Sequence, residues 1–184
     1  MSEPVSLAEA RAQVNIVDAG DTSFDTFLSS LLAPARAYVE RVSRRLFVAG
    51  ERTETFRAWG DYLEIWRSPI TSIDSIAYST SADPDDDADY SGFVANLGFP
   101  ARIYPAIDGS GFPDLIAGGT ITVTYTGGAV EAASEEYLIG KRAMLLLIGH
   151  WFEFREAAAA GIVSDEIAAT ITWLLDELRP VSAY

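Results

Sequence analysis

The sequence predicts a mainly α fold with a β insertion: a small helical bundle of two N-terminal and two C-terminal helices, with a β-rich middle segment. Two observations carry this. Apolar residues recur at spacings of three and four before about residue 50 and again after about 130, which is the period of one helix face. From about 51 to 129 the period falls to two, that of a strand with one face buried. The simplest packing joins the first two helices to the last two. The 184 residues then form a single domain, with the bundle drawn from 1–50 and 130–180 and the insertion at about 51–129. A chain of this length can bury about 70% of its unfolded surface, and 49% hydrophobic residues supply a core without disulfide or metal.

The elements follow in order. Ser6-Leu7-Ala8-Glu9 is a capping box opening a short helix that ends near Asn15. Phe24, Phe27, Leu28, Leu31, Ala35, Tyr38, Val39, Val42 and Leu46 form the apolar face of a second helix starting near Asp21 or Ser23. Pro34 interrupts it at a cost of ~3 kcal/mol for a regular interior, so a kink is expected, or a start nearer Ala33. Phe56 and Ala58 before Gly60-Asp61, with Leu63 and Ile65 after it, predict a hairpin with a Gly-Asp turn. Pro69 ends its second strand and Ile73, Ile76 and Tyr78 begin another. Residues 81–92, SADPDDDADYSG, read as an exposed acidic loop, and Ala101–Tyr104 as a short strand. Between paired glycines, Thr120–Thr126 alternates apolar and Thr strictly and is the clearest strand.

Helical spacing returns at the N-cap Ser134, with Glu135 and Glu136 in the first turn. This third helix is expected to run through Gly149–Ala157 (GHWFEFREA) to the alanine tract at 157–160 and stop at Gly161. Ser164 or Asp165 caps a last helix with Ile167, Ile171, Leu174, Leu175 and Leu178 inward, ended by Pro180.

Composition excludes several function classes. Without cysteine there is no disulfide scaffold, thiolate metal site or Cys nucleophile. No run approaches the ~18 apolar residues of a membrane span, and the acidic, polar start MSEPVSLAEAR is unlike a signal peptide, so an unexported protein with no membrane contact is expected. The net charge of −14 repels phosphate backbones and argues against ordinary nucleic-acid binding. That charge is uneven: residues 1–80 hold 8 basic and 11 acidic groups, residues 81–184 hold 5 and 16.

The stretch GHWFEFREA holds the only histidine. His150 and Glu153 are neighbours on a helix face, but a di-metal bundle needs Glu-x-x-His from each of two helices and two further Glu. Asp83, Asp85, Asp87 and Asp89 alternate as in a calcium loop, yet the glycine at position six and the glutamate at position twelve are absent, the latter being Val94. No nucleophile elbow or phosphate-binding glycine loop is present. No cofactor and no enzymatic activity are therefore expected. Trp151, Phe154 and Arg155 share one helix face, and Ile148, Phe152 and Glu156 another. One small bundle covers one such face more readily than both. Core on one side and a protein interface on the other is thus set against an all-core reading, since aromatics and Arg anchor interfaces.

At this point the sequence resembles the head–tail connector, or adaptor, proteins of long-tailed bacteriophages and gene transfer agents, over nearly its whole length. The resemblance rests on Pro4-Val5-Ser6-Leu7-Ala8-Glu9-Ala10, Ala37-Tyr38-Val39-Glu40, Leu63-Glu64-Ile65-Trp66-Arg67-Ser68-Pro69-Ile70, Ala101-Arg102-Ile103-Tyr104-Pro105 and Val123-Thr124-Tyr125 before Gly127. Its most specific part, His150-Trp151-Phe152-Glu153-Phe154-Arg155-Glu156, looks like the family's His-Trp-Tyr-Glu-Asn-Arg-Glu, and Leu174-Leu175 with Arg179 matches its ending. Phe152 and Phe154 depart from the family's Tyr and Asn, Ser43-Arg44-Arg45 stands where Thr-Gly-Arg is common, and Pro34 is unusual.

The resemblance implies a non-enzymatic virion protein at the head–tail junction, assembled in the host cytoplasm. Such proteins form a homo-oligomeric ring, commonly of twelve copies, under the portal protein. The ring extends the channel through which packaged DNA passes and docks a stopper or other tail-side protein. It makes His150, Trp151, Glu153, Phe154, Arg155 and Glu156 an assembly interface, and Arg179, Pro180, Val181, Ser182, Ala183 and Tyr184 a portal-binding tail. The β insertion is expected to face neighbouring copies or the tail side. Twelve copies at −14 each carry −168 charges, enough to repel DNA from the channel and to oppose ring closure at low salt. Two other readings stay open: another oligomeric completion protein such as a stopper, and an acidic metal-dependent enzyme centred on His150 and the Asp83–Asp89 loop.

Overall fold

The computed structural model describes residues 3–18, 20–81, 86–107, 110–128, 134–154 and 164–178. Those within Met1–Val48 and Ala129–Pro180 form one compact unit, and those within Ala49–Gly128 the other.

The first unit holds α1 (Leu7–Gln13), α2 (Asp25–Ser43), α3 (Glu135–Glu153) and α4 (Asp165–Asp176). The capping box forms as read: Ser6 Oγ accepts from the Glu9 amide, and Glu9 Oε2 accepts from the Ser6 amide at 2.9 Å. Arg11 then fixes the turn into α2 by donating to the carbonyls of Asp18 and Asp21 and pairing with Asp25 at 3.3 Å. Pro34 neither delays α2 to Ala33 nor splits it. Its missing N–H deprives the Ser30 carbonyl, and both residues are exposed, so water can serve instead.

The core of this unit is a contiguous apolar cluster of Leu28, Leu31, Ala35 and Val39 from α2, Ala143, Met144, Leu147 and Ile148 from α3, and Ile171 and Leu175 from α4. Where the chain leaves α2, Arg44 adopts the left-handed conformation (φ 62°). The buried Glu40 side chain closes this corner, accepting from the Phe47 amide at 2.8 Å and from Arg36 at 2.9 Å. Arg36 also reaches Glu3 at 2.7 Å. The tip of the Phe47 ring presses against α3, where a Cβ on Gly140 would sit 2.2 Å from it. Only glycine leaves room there.

The second unit holds two antiparallel sheets. One has the order β1 (Gly50–Phe56), β7 (Ile121–Gly127), β3 (Ile70–Tyr78), β4 (Ala88–Asp89). The other has the order β2 (Leu63–Ile65), β6 (Ala101–Tyr104), β5 (Val94–Asn96). The strict alternation read at 120–126 becomes β7, the inner strand between β1 and β3, with Ile121, Val123 and Tyr125 buried and the threonines on the other face.

Three expectations need correction. The hairpin across Gly60-Asp61 does not form: β1 pairs with β7 from Gly50↔Gly127 to Phe56↔Ile121, and β2 pairs with β6. The cause is Trp59. It stacks on Phe112 at 4.7 Å and meets Tyr78 and Tyr90 edge-on, so the segment between β1 and β2 is anchored inside rather than at a turn tip. The acidic loop is shorter than read, because Ala88-Asp89 pair with Tyr78 and Ala77, and Tyr90 joins the aromatic cluster. Finally, α3 ends at Glu153, with the Phe154 amide donating to the His150 carbonyl at 2.9 Å, rather than running on to Gly161. Residues 155–163, the intended continuation, lie outside those described.

Glu40→Ala is expected to destabilise the first unit by about 2–4 kcal/mol, because it strands the buried Phe47 amide and removes one Arg36 partner. Glu40→Gln, which keeps the acceptor, costs less; urea midpoints check both. A second expectation concerns acid. Lys141 at 2.6 Å, aided by the Ser6 amide, lowers the Glu9 carboxyl from 4.5 to about 2. A carboxyl depressed in the folded state stabilises it above its unfolded value and loses that contribution as pH falls to the folded one. The stability gap between wild type and Glu9→Gln should therefore be full at pH 6 and shrink steadily from about 4.5 toward 2. Thermal melts across that range measure it.

Candidate assembly surface

The conspicuous stretch at the end of α3 splits by environment. Ile148 and Trp151 point into the core, Trp151 with 5% of its surface exposed. Phe152 takes the next face round and packs edge-on against Phe24 at 5.3 Å and against Phe27 at 6.3 Å, both contributed by the start of α2. The bundle thus occupies both faces that the sequence spacing distinguishes. His150 is buried beside them; its Nε2 accepts from the Ser164 amide at 3.4 Å, and its ring lies 5.1 Å from Phe154. That bond joins the last turn of α3 to the N-cap of α4.

Phe154 is the C-cap of α3, and its ring stays beside that of His150 one turn back. It is 54% exposed, and Glu153 is exposed beside it. The two stand at the mouth of a groove of about 860 Å³ whose lining includes Val14 and Asn15, His150 and Phe152, and Glu166 and Ile167. Among the sequence-predicted interface residues, His150 and Trp151 are therefore interior and Glu153 and Phe154 face outward. Arg155 and Glu156 lie outside the described residues, as does the whole tail Arg179–Tyr184.

Metal-binding readings meet the same geometry. His150 is inward and Glu153 outward, so the two do not converge, and among the described residues no three His, Asp or Glu side chains cluster to hold an ion. Asp83 and Asp85 are outside those residues; Asp86 takes the Ser81 hydroxyl at 3.0 Å. Among the described residues no helix is long and apolar enough to cross a membrane.

One exposed anchor escaped the sequence reading. Trp173 on α4 is 74% exposed, on the side away from Ile171 and Leu175. The signal was present: 173 falls outside the inward set 167, 171, 174, 175 and 178, and a tryptophan off the apolar stripe is costly unless something covers it.

Three solved structures share this architecture. One is the neck of an empty gene transfer agent particle computed with C6 symmetry: TM-score 0.71, 21% identity, 98% of this chain and 92% of that one. A second is the virion of a native gene transfer agent particle: TM-score 0.68, 19% identity, 98% and 92% coverage. The third is the neck of a native gene transfer agent particle computed with C12 symmetry: TM-score 0.62, 17% identity, 100% and 96% coverage. The fold is similar to that of gene transfer agent chains. At these identities the likeness is one of fold. No protein-family model matches the chain, and no curated protein matches it by sequence.

Trp151→Ala should cost about 3–5 kcal/mol, as expected for emptying a buried aromatic site. Phe154→Ser should change stability by less than about 0.5 kcal/mol. Chemical denaturation of the two variants separates interior from surface within four residues.

Proposed function

We propose that this chain is a structural virion protein at the head–tail junction of a phage-like particle or gene transfer agent, and within that class a head–tail adaptor. On this reading it forms a ring beneath the portal protein, continues the DNA channel and presents a surface to the next tail-side protein. It holds no cofactor and performs no chemistry. The observation that carries the reading is the fold likeness to chains from gene transfer agent necks, which spans nearly all of this chain and nearly all of theirs. Those necks were computed with sixfold and twelvefold symmetry, which favours a ring. The exposed Phe154 and Trp173 support it further, since both are large apolar side chains held outward, one at the end of α3 and one on α4.

The acidic surface gives the proposal a physical consequence. At −14 per copy, subunits repel over the Debye length, which is roughly 30 Å at 0.01 M salt and 10 Å at 0.1 M. Native mass spectrometry of the purified 19.9 kDa chain, alone and with its portal protein across a salt series, tests both points. The expected result is a monomer at about 10 mM salt, with rings appearing on the portal or as salt rises. Rings that form freely at low salt without portal would remove the electrostatic account. A chain indifferent to portal at every salt would remove the adaptor reading, and one that binds only a portal already carrying another ring is a stopper.

A further inference from the structure

The three-stranded sheet has one face sealed and one face open. Leu63, Ile65, Ala101 and Ile103 turn inward and are buried. The register places the outward residues in rows. Val94 stands opposite Tyr104, and Tyr104 lies next to Tyr62, with the two rings 5.7 Å apart. Asn96 stands opposite Arg102, and Arg102 opposite Glu64. Beyond them Trp66 meets Phe99 edge-on at 5.6 Å. The face is thus a polar row between two aromatic rows. Tyr62, Trp66 and Val94 are each 38–40% exposed, which gathers three of the large exposed apolar side chains into one small surface.

Its charge distinguishes it from the rest of the molecule. Arg102 pairs with Glu64 at 2.9 Å and lies over the Tyr62 ring at 5.0 Å, so the only two charges on the face cancel each other. The remaining members are uncharged. In a chain of net charge −14, two copies that meet through an average part of their surface bring carboxylates together. Meeting here they bring together aromatic rings and an ion pair that is already answered. Glu64 already holds Arg102, so the face offers a basic partner no unanswered carboxylate.

We propose that the outer face of the β2-β6-β5 sheet, centred on Tyr62, Trp66, Val94 and Tyr104, is a contact between copies of this chain. Its occupant is a second, acidic copy rather than a basic or nucleic-acid partner. The inference rests on the ring reading above and assigns part of the ring's contact surface. Because that contact is apolar and neutral, raised salt strengthens it by screening the carboxylates elsewhere while leaving the contact itself intact.

Two measurements test it on the full chain with portal protein present and salt raised. First, Val94→benzoylphenylalanine is photolysed; Val94 is exposed at the sheet edge, so the probe leaves the fold alone. The expected product has twice the 19.9 kDa chain mass. A chain–portal product, or no product in an assembled sample, overturns the proposal while leaving the adaptor reading intact. Second, the double variant Trp66→Ser/Tyr104→Ser should keep its circular dichroism and lose assembly by at least about tenfold in the concentration required, whereas Trp173→Ser should lose none of the copy–copy product. A double variant that assembles like wild type overturns the proposal alone; a wild type that never assembles overturns it together with the ring reading.

Discussion

The first unit depends on how the chain leaves α2, and that exit is governed by one buried carboxylate. Glu40 sits on the helix face that meets the core, where an ionised group is costly unless its oxygens are answered. Both are: one by the Phe47 amide, the other by Arg36. The first bond reaches across seven residues and holds the chain in a tight return after the left-handed Arg44. That return delivers Phe47 to the surface of α3, which only a glycine at 140 can accept. Arg36 carries the constraint the other way, to Glu3 just ahead of α1. One side chain therefore sets the relation of α1, α2 and α3 before any apolar contact is counted. The apolar cluster supplies most of the stabilising free energy, but the Glu40 bonds select which packing receives it.

How much of this could be read from residues alone follows from how local each cause is. The capping box, the Ser134 cap and the alternation of β7 all act within a few positions, and each was legible. Strand pairing was not, because partners lie far apart in sequence. Phe56 meets Ile121, and no turn residue near Gly60 announces it. Trp59, next to that glycine, is likewise held by a remote partner, Phe112, so the glycine carried a misleading signal. Similarly, the spacing of Trp151, Phe152 and Phe154 defined the helix faces correctly but could not say where the helix stops. An end at Glu153 leaves Phe154 as the cap residue, more than half exposed beside His150. Glu40 was equally hidden: among the arginines of α2 it reads as one more solvated charge, and only the fold brings the Phe47 amide to it.

The ion pairs of the first unit follow one pattern. Glu9 with Lys141 ties α1 to α3, Arg11 with Asp25 ties α1 to α2, and Arg36 on α2 holds both Glu3, ahead of α1, and Glu40 one turn on in its own helix. Each uses one of the few cations the chain has. With 13 basic against 27 acidic residues, these pairs take up carboxylates along with cations, so the rest of the chain keeps nearly all of the acidic excess. Such a surface keeps copies apart and turns assembly into a matter of screening or of a template. One allocation of charge thus stabilises each copy while leaving the repulsion between copies in place.

That allocation also separates the exposed aromatics into two kinds. Trp173 stands on α4 with Glu166 two turns before it and Glu177 one turn after, so a partner that covers it must also bury or answer carboxylates. A cationic partner does this at little cost, and an Arg can stack on the indole as well. The face around Tyr62, Trp66 and Tyr104 makes the opposite demand, because its single carboxylate already holds Arg102. A second acidic copy meets no penalty there and meets one at Trp173. Two apolar surfaces on one chain can in this way be kept for different partners by the charges beside them, without any difference in how hydrophobic they are.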